Sequence, residues 1–197
     1  LDRRQRQMCI RDRFYTIPSE SVGVVMRFGE YSSTTDPGLH LKLPFFIDQV
    51  EKVPVRRQLK QEFGFGTAGA TNYYQYSNPN TQQAEKSMVT GDSNVALVEW
   101  VVQYKVKDPK DYLFQVRRPD ETLRDASESI MREVVGDRTV DEVITFGRQE
   151  IEIEAKTKLQ SLVNKYEMGI AIDLIQLKSV NAPREVQASF NEVESAK

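Results

Sequence analysis

The stretch Met88–Val106, which reads M-V-T-G-D-S-N-V-A-L-V-E-W-V-V-Q-Y-K-V, constrains the fold of this chain more than any other. It holds two strand-like runs joined by a turn at Gly91-Asp92. From Ala96 onward the positions Ala96, Val98, Trp100, Val102, Tyr104 and Val106 are apolar, whereas Glu99, Gln103 and Lys105 fall between them. A period of two puts the first set on one face of a strand and the second on the other, so one face packs a core and the other meets solvent. A β-rich stretch precedes this strand and a helical stretch follows it, which makes it the hinge of the architecture.

The 197 residues suffice for one ordinary domain or two small ones with a real core. Charged residues make up 28% of the chain, and 27 basic residues against 29 acidic ones leave a net charge of −2. There is thus no overall field to draw in nucleic acid, and none is expected as a partner. A single cysteine, Cys9, and a single histidine, His40, rule out a disulfide framework and most zinc and thiol chemistry. The longest apolar run, around Leu97–Val102, is broken by Glu99 and falls far short of the roughly 20 residues of a membrane helix. Residues 1–13 carry five arginines and no apolar period. They read as a solvated basic arm or, since Met8-Cys9-Ile10-Arg11-Asp12-Arg13 resembles a translated sequencing-adapter junction, as a doubtful one, and no function is assigned to them.

Foldable sequence begins at Phe14. Val22, Val24, Met26 and Phe28 share one face at period two, predicting a strand with that face buried. Asp36-Pro37-Gly38 signals a turn, after which Leu39, Leu41 and Leu43 resume the alternation until Pro44. Ile47–Leu59 reads as a further strand, interrupted at Pro54. Gly64–Lys86 is rich in Gly, Ala, Thr, Asn and Gln, with Tyr73, Tyr74 and Tyr76 interleaved, and is expected to be a mobile surface loop.

Beyond Pro119 a helix is predicted, with Asp120 as its N-cap, Leu123, Ala126, Ile130, Met131, Val134 and Val135 as its apolar stripe, and Gly136 as its C-cap. Thr139-Val140-Asp141-Glu142 has the pattern of a capping box. The longest helix is expected from about Arg148, burying Ile151, Ala155, Leu159, Leu162, Val163 and Tyr166. Glu152 with Lys156, and Glu154 with Lys158, are spaced i to i+4 on its solvent side. Gly169 ends it, and Ile170–Lys178 reads as a strand with Ile170, Ile172 and Leu174 on one face. Asn181-Ala182-Pro183 opens a last helix continuing through Val186, Phe190 and Val193.

No nucleophile elbow, phosphate-binding loop, H-E-x-x-H or EF-hand pattern is present. His40 lies beside a turn and reads as structural. Acidic clusters such as Asp120-Glu121 and Glu150-Glu152-Glu154 have helix-start or helix-surface explanations. No catalytic, cofactor-binding or metal-binding residue is therefore nominated. The residues expected to matter are structural: Val98, Trp100, Val102, Tyr104, Leu123, Ile130, Val134 and Leu159 as core, with Leu43, Phe45 and Phe46 as a membrane-facing candidate.

The segments Val89–Val95, Val98-Glu99-Trp100 and Val102-Gln103-Tyr104 closely resemble the SPFH (band 7, prohibitin-homology) domain of HflK-type proteins. The resemblance runs on through Asp108-Pro109, Tyr112-Leu113-Phe114, Thr122-Leu123-Arg124, Val134–Arg138, Val140–Val143, Gly147-Arg148, Met168-Gly169-Ile170, Val180–Pro183 and Phe190–Val193. Val24–Gly29 and Pro37–His40 resemble the opening of the same domain. The resemblance implies an α+β fold of two small α/β subdomains leading into a C-terminal coiled-coil helix. On this chain it places a β-rich first subdomain at 14–86, a second at 87–181 and the start of the coiled coil at 182–197. It also implies a non-enzymatic scaffold, held by a membrane anchor at the periplasmic face of the bacterial inner membrane. Such a scaffold assembles with an HflC-like subunit into an oligomer and controls substrate access to an FtsH-type membrane protease. With the anchor not found before Phe14 and the coiled coil only begun, the chain is expected to be a fragment of such a protein. Two alternatives stay open: a stomatin-like lipid scaffold acting without FtsH, and a carboxylate-dependent hydrolase.

Overall fold

A computed structural model of the chain describes residues 14–43, 47–66 and 79–182. Its packing separates two units. Among the described residues, the first comprises those up to Gln58 together with Lys105–Arg117 and Tyr166–Ala171, and the second comprises those within Leu59–Tyr104, Arg118–Lys165 and from Ile172 to Ala182. These packing units differ from the subdomain bounds 14–86 and 87–181 that the family resemblance implies. Residues 59–66 and 79–86 belong with the second unit because Leu59–Phe63 forms a strand that pairs along the central strand.

The first unit contains two small sheets. In one, β1 (Phe14–Ile17) pairs antiparallel with β4 (Gly38–Leu41). In the other, β2 (Ser21–Arg27) lies between β3 (Glu30–Thr35) and β5 (Asp48–Pro54), both antiparallel to it. Ile17, Val24, Val25 and Val53 are buried there. The alternation predicted to bury Val22, Val24, Met26 and Phe28 fails at its end: the β2–β3 register shifts between Val25 and Met26, and Phe28 lies outside the strand at 82% exposure. Pro54 ends β5, and Leu59 starts a separate strand, so the single strand expected over Ile47–Leu59 is two. A short helix, α2, spans Pro109–Phe114, and Asp108 caps it by accepting from the N–H groups of Lys110 and Asp111. Gly169, at φ +64°, lies so close to this helix that a Cβ would sit 2.3 Å from the Asp108 carbonyl oxygen. Only glycine fits both that backbone and that approach.

In the second unit, β8 (Val95–Val106) is the axis of a four-stranded sheet. β6 (Leu59–Phe63) pairs with its residues 100–104, β7 (Ser87–Val89) with residues 95–97, and β9 (Ile170–Asn181) pairs with it as well. The buried set of β8 includes Ala96, Val98, Trp100, Val102, Tyr104 and Val106, and Val101 is buried too, so the strand is covered on both faces through its middle. Trp100 stacks on Phe63 with ring centroids 4.6 Å apart and donates its indole N–H to Ser127 Oγ at 3.3 Å. The helices α3 (Pro119–Gly136) and α5 (Arg148–Lys165) pack together, with α4 (Val140–Ile144) between them in sequence. Leu123, Ile130, Val134 and Leu159 are buried along with Val98, Trp100, Val102 and Tyr104.

Several local expectations are corrected here. The N-cap of α3 is Arg118 with Pro119 at the first helical position; Asp120 lies inside the helix, and its carboxylate accepts from the Tyr104 hydroxyl at 2.9 Å. Gly136 is the last helical residue and Asp137 the C-cap. Helices α3 and α5 are equal in length at 18 residues. Tyr166, beyond α5, is exposed, and Leu162 is half-buried. On β9 the buried positions run Ile170, Ile172, Ile175, Leu177 and Val180, a period of two that slips twice and leaves Leu174 exposed. Part of the supposed loop is a helix, α1 (Pro79–Lys86), whose polar sequence hides any apolar period. Residues 67–78, with the three tyrosines, and Phe45, Phe46 and the expected helix from Pro183 lie outside the described residues.

Candidate interaction surfaces

The buried charges of the second unit form a closed network. Arg124 on α3 donates to Glu85 Oε1 of α1 through both Nε and Nη2 and to the Glu62 carbonyl oxygen at 3.1 Å. Its guanidinium lies 4.5 Å from the centroid of the Phe63 ring. The other Glu85 oxygen accepts from the Gly64 N–H at 3.1 Å, and the Glu62 carboxylate pairs with Lys60 at 2.7 Å. These carboxylates are thus held by cations and backbone donors, an arrangement that fixes α1 to the sheet. Among the described residues no group of three or more His, Cys, Asp or Glu side chains gathers as a metal site. His40 holds the Asp36 carbonyl at 2.7 Å with its ring against Tyr15, which is a turn contact.

A second polar knot ties the turn at the head of β8. Asp92 accepts from the Thr90 hydroxyl at 2.6 Å, from the Asn94 amide at 2.8 Å and from the Val140 N–H that opens α4, and these bonds, the Thr90 one foremost, hold its carboxyl below the usual range. Beside it the capping box of α4 is complete: Thr139 accepts from the Glu142 N–H while the Glu142 carboxylate accepts from the Thr139 N–H, which lowers the pKa of Glu142. Arg138 bridges Glu150 and Glu154 of α5, and Lys158 bridges Glu133 and Glu154. The spacing Glu152–Lys156, read as a surface pair, serves another purpose. Glu152 accepts from the Leu177 N–H at 2.8 Å, Lys156 donates to the Asp173 carbonyl at 2.7 Å, and Gln160 accepts from the Ile172 N–H at 2.7 Å.

The first unit exposes an apolar surface where its sheets end. In the β1–β4 register Phe14 opposes Leu41 and Thr16 opposes Leu39, so these share one face, and Leu43, beyond the end of β4, is exposed as well. Phe14 is 50% exposed, Leu39 66%, Leu41 70% and Leu43 45%. The opposite face carries Tyr15, Ile17 and His40 and is the one turned inward. Leu39, Leu41 and Leu43, whose alternation suits a half-buried strand, are thus exposed. At the base of this surface Asp48, 6% exposed, accepts from Arg27 Nε at 2.9 Å and from the Leu43 N–H at 3.0 Å. Arg27, then Leu43, hold its carboxyl below the ordinary value. Among the described residues no helix is long and apolar enough to cross a membrane.

Two small α/β units, one exposing an apolar sheet face and the other organised on a long central strand, define the class, and residues 15–197 match the family described as SPFH domain / Band 7. The chain belongs to that family. Within it, the chain is 38% identical over 176 residues to Protein HflK of Treponema pallidum, covering 88% of this chain and 53% of that one. It is 35% identical over 184 residues to the Modulator of FtsH protease HflK of Escherichia coli K12, covering 93% and 39%. With Protein HflK of Borreliella burgdorferi it shares 32% over 188 residues, covering 95% and 58%. The chain therefore spans roughly two-fifths to three-fifths of the length of these relatives.

Proposed function

We propose that this chain is a non-enzymatic scaffold domain of an HflK-like protein which, in the complete protein, assembles with an HflC-like partner and regulates the access of membrane substrates to an FtsH-type protease. The observation that carries the reading is the similarity across 93% of the chain to a relative named as a modulator of FtsH protease. The buried carboxylates support it, because Asp48, Glu62 and Glu85 are each engaged by a cation in a structural role. In this reading the domain lies on the periplasmic face of the bacterial inner membrane and its partners join it laterally. The test is to express the complete reading frame with an HflC-like neighbour and an FtsH-type protease and to purify on a tag. Recovery of one large assembly containing all three is expected. Recovery of the tagged protein as a monomer without either companion rejects the reading.

A second reading, a lipid-contacting scaffold of the stomatin kind, is favoured by the exposed face of Phe14, Leu39, Leu41 and Leu43. Burying one such leucine in an apolar layer is worth about 1.5–3 kcal/mol relative to leaving it in water, so four side chains suffice for reversible attachment. The chain is expected to float with phosphatidylcholine vesicles, and Leu39→Ser with Leu41→Ser to abolish flotation without loss of folding. Equal flotation of both proteins removes lipid binding from this face.

A further inference from the structure

Helix α1 is held to the second unit by charge and not by apolar packing. Of residues 80–86 only Glu85 is buried, and Ala84 is exposed. A polar helix of eight residues is marginal in water without tertiary support. That support comes from a seat built by other elements. Arg124 of α3 directs Nε, at 3.2 Å, and Nη2 onto Glu85 Oε1, and the Gly64 N–H, just past β6, donates to Oε2 at 3.1 Å. The guanidinium is itself fixed, since Nη1 donates to the Glu62 carbonyl at 3.1 Å and its carbon lies 4.5 Å from the centroid of the Phe63 ring, which stacks on Trp100. Both carboxylate oxygens thus meet donors that stand in place whether or not α1 delivers the carboxylate.

The flanking contacts narrow the occupant. Lys86 pairs with Glu99 of β8 at 3.4 Å, and Arg132 donates to the carbonyl oxygens of Ala84 and Ser87, each at 3.1 Å. The seated segment therefore presents a carboxylate and then an ammonium group, on a backbone held by a cation. We propose that this seat is a docking site for a segment of a partner protein in which Asp or Glu is followed directly by Lys or Arg, and that Glu85-Lys86 occupies it as a tethered competitor. Because α1 buries no apolar side chain over residues 80–86, its release exposes little apolar surface and is a local opening below global unfolding. The partner's apparent affinity is reduced by the fraction of molecules in which the seat is filled from within. The site lies inside the second unit and is independent of the scaffold and lipid readings.

Hydrogen exchange of the isotopically labelled 197-residue chain, followed at the Glu85 and Lys86 amides against those of Trp100 and Leu123, tests the opening. The α1 amides are expected to exchange at least about tenfold faster and with little dependence on urea. The probe for the seat is the blocked, unlabelled peptide of residues 79–86, compared with the same peptide carrying Glu85→Gln. The first peptide is expected to speed exchange of the α1 amides in the parent chain and to bind a Glu85→Ala protein about tenfold more tightly than the parent, whereas the second binds neither. Acetate is expected to raise the thermal midpoint of Glu85→Ala above its value in sodium chloride of equal ionic strength, and to leave Glu85→Ala/Arg124→Met unmoved. Exchange of the α1 amides through global unfolding alone, or equal binding of the two peptides, overturns the proposal. Rescue by acetate in a protein whose parent form ignores the first peptide makes Glu85 a fixed structural partner and overturns it too. If Glu85→Ala does not fold, the exchange of the parent and its response to the two peptides decide.

Discussion

Arg124 shows how much one side chain can hold together. Its guanidinium joins α3 to Glu85 of α1 and to the backbone of β6, and it lies over the ring that stacks on Trp100. Arg and Glu side chains here are 8% and 7% exposed, so the pair is screened from water, and removing one partner strands the other. Arg124→Met is expected to cost about 3–5 kcal/mol in urea unfolding followed by Trp100 fluorescence. Arg124→Met combined with Glu85→Met is expected to be less destabilised than the single variant, because no uncompensated charge remains. A double variant as unstable as the sum of the two singles would show that the network is valued for its packing alone. No sequence pattern announces this pair. The residues are 39 positions apart, and Arg124 falls within an otherwise apolar helix stripe, where a period argument reads it only as an exception.

At the level of elements, α5 and β9 show why an i to i+4 charge pattern is ambiguous. Glu152, Lys156 and Gln160 recur every four residues and engage backbone groups at Leu177, Asp173 and Ile172, so the helix satisfies polar groups along the strand with its own side chains. An unsatisfied strand edge is a template for pairing with another chain, and this row of side chains covers it. Glu152→Ala and Gln160→Ala are each expected to lower stability by about 1 kcal/mol through the orphaned N–H. The double variant is expected to associate at high concentration in analytical ultracentrifugation, where the parent chain sediments more slowly. Elements governed by local rules were legible in advance. The alternation of β8, the stripe of α3 and the capping box of α4 each follow from short-range geometry that the residues themselves declare. Where the outcome depends on which side the rest of the molecule lies, the pattern is silent. Leu39, Leu41 and Leu43 alternate as a buried strand would, yet face outward, and Phe28 continues the β2 phase but falls in a turn. The slips in β9 and the polar helix α1 escaped for a related reason, since their positions are set by partners distant in sequence.

Across the described residues the paired charges are arranged to be stable near neutrality and fragile in acid. Asp48, Asp92, Glu142 and Glu154 all have lowered pKa values, held down chiefly by Arg27, the Thr90 hydroxyl, the Thr139 N–H and Arg138 respectively. Each binds its proton more weakly folded than unfolded. The stability it contributes is therefore present above the unfolded value, about 4, and is lost as the pH falls through the lower folded value. Arg27, Arg138 and Lys158 are shifted the other way, upward, chiefly by Asp48, Glu154 and Glu133, so their contribution is lost only as the pH rises beyond about 10.5. With four carboxylates acting in one direction and three cations acting far up the scale, the thermal midpoint is expected to stay level from about pH 5 to 9 and to fall steeply below about pH 4. Asp92→Asn with Glu154→Gln keeps one of the two acceptor oxygens at each position while removing both titrations. Its midpoint, followed by Trp100 fluorescence in the same unit, is expected to be lower than that of the parent at pH 7 and to change less with acid. An acid limb as steep as the parent's would mean that these two carboxylates are not what acid unfolding protonates, and that the lowered pKa values of Asp48 and Glu142 govern it instead.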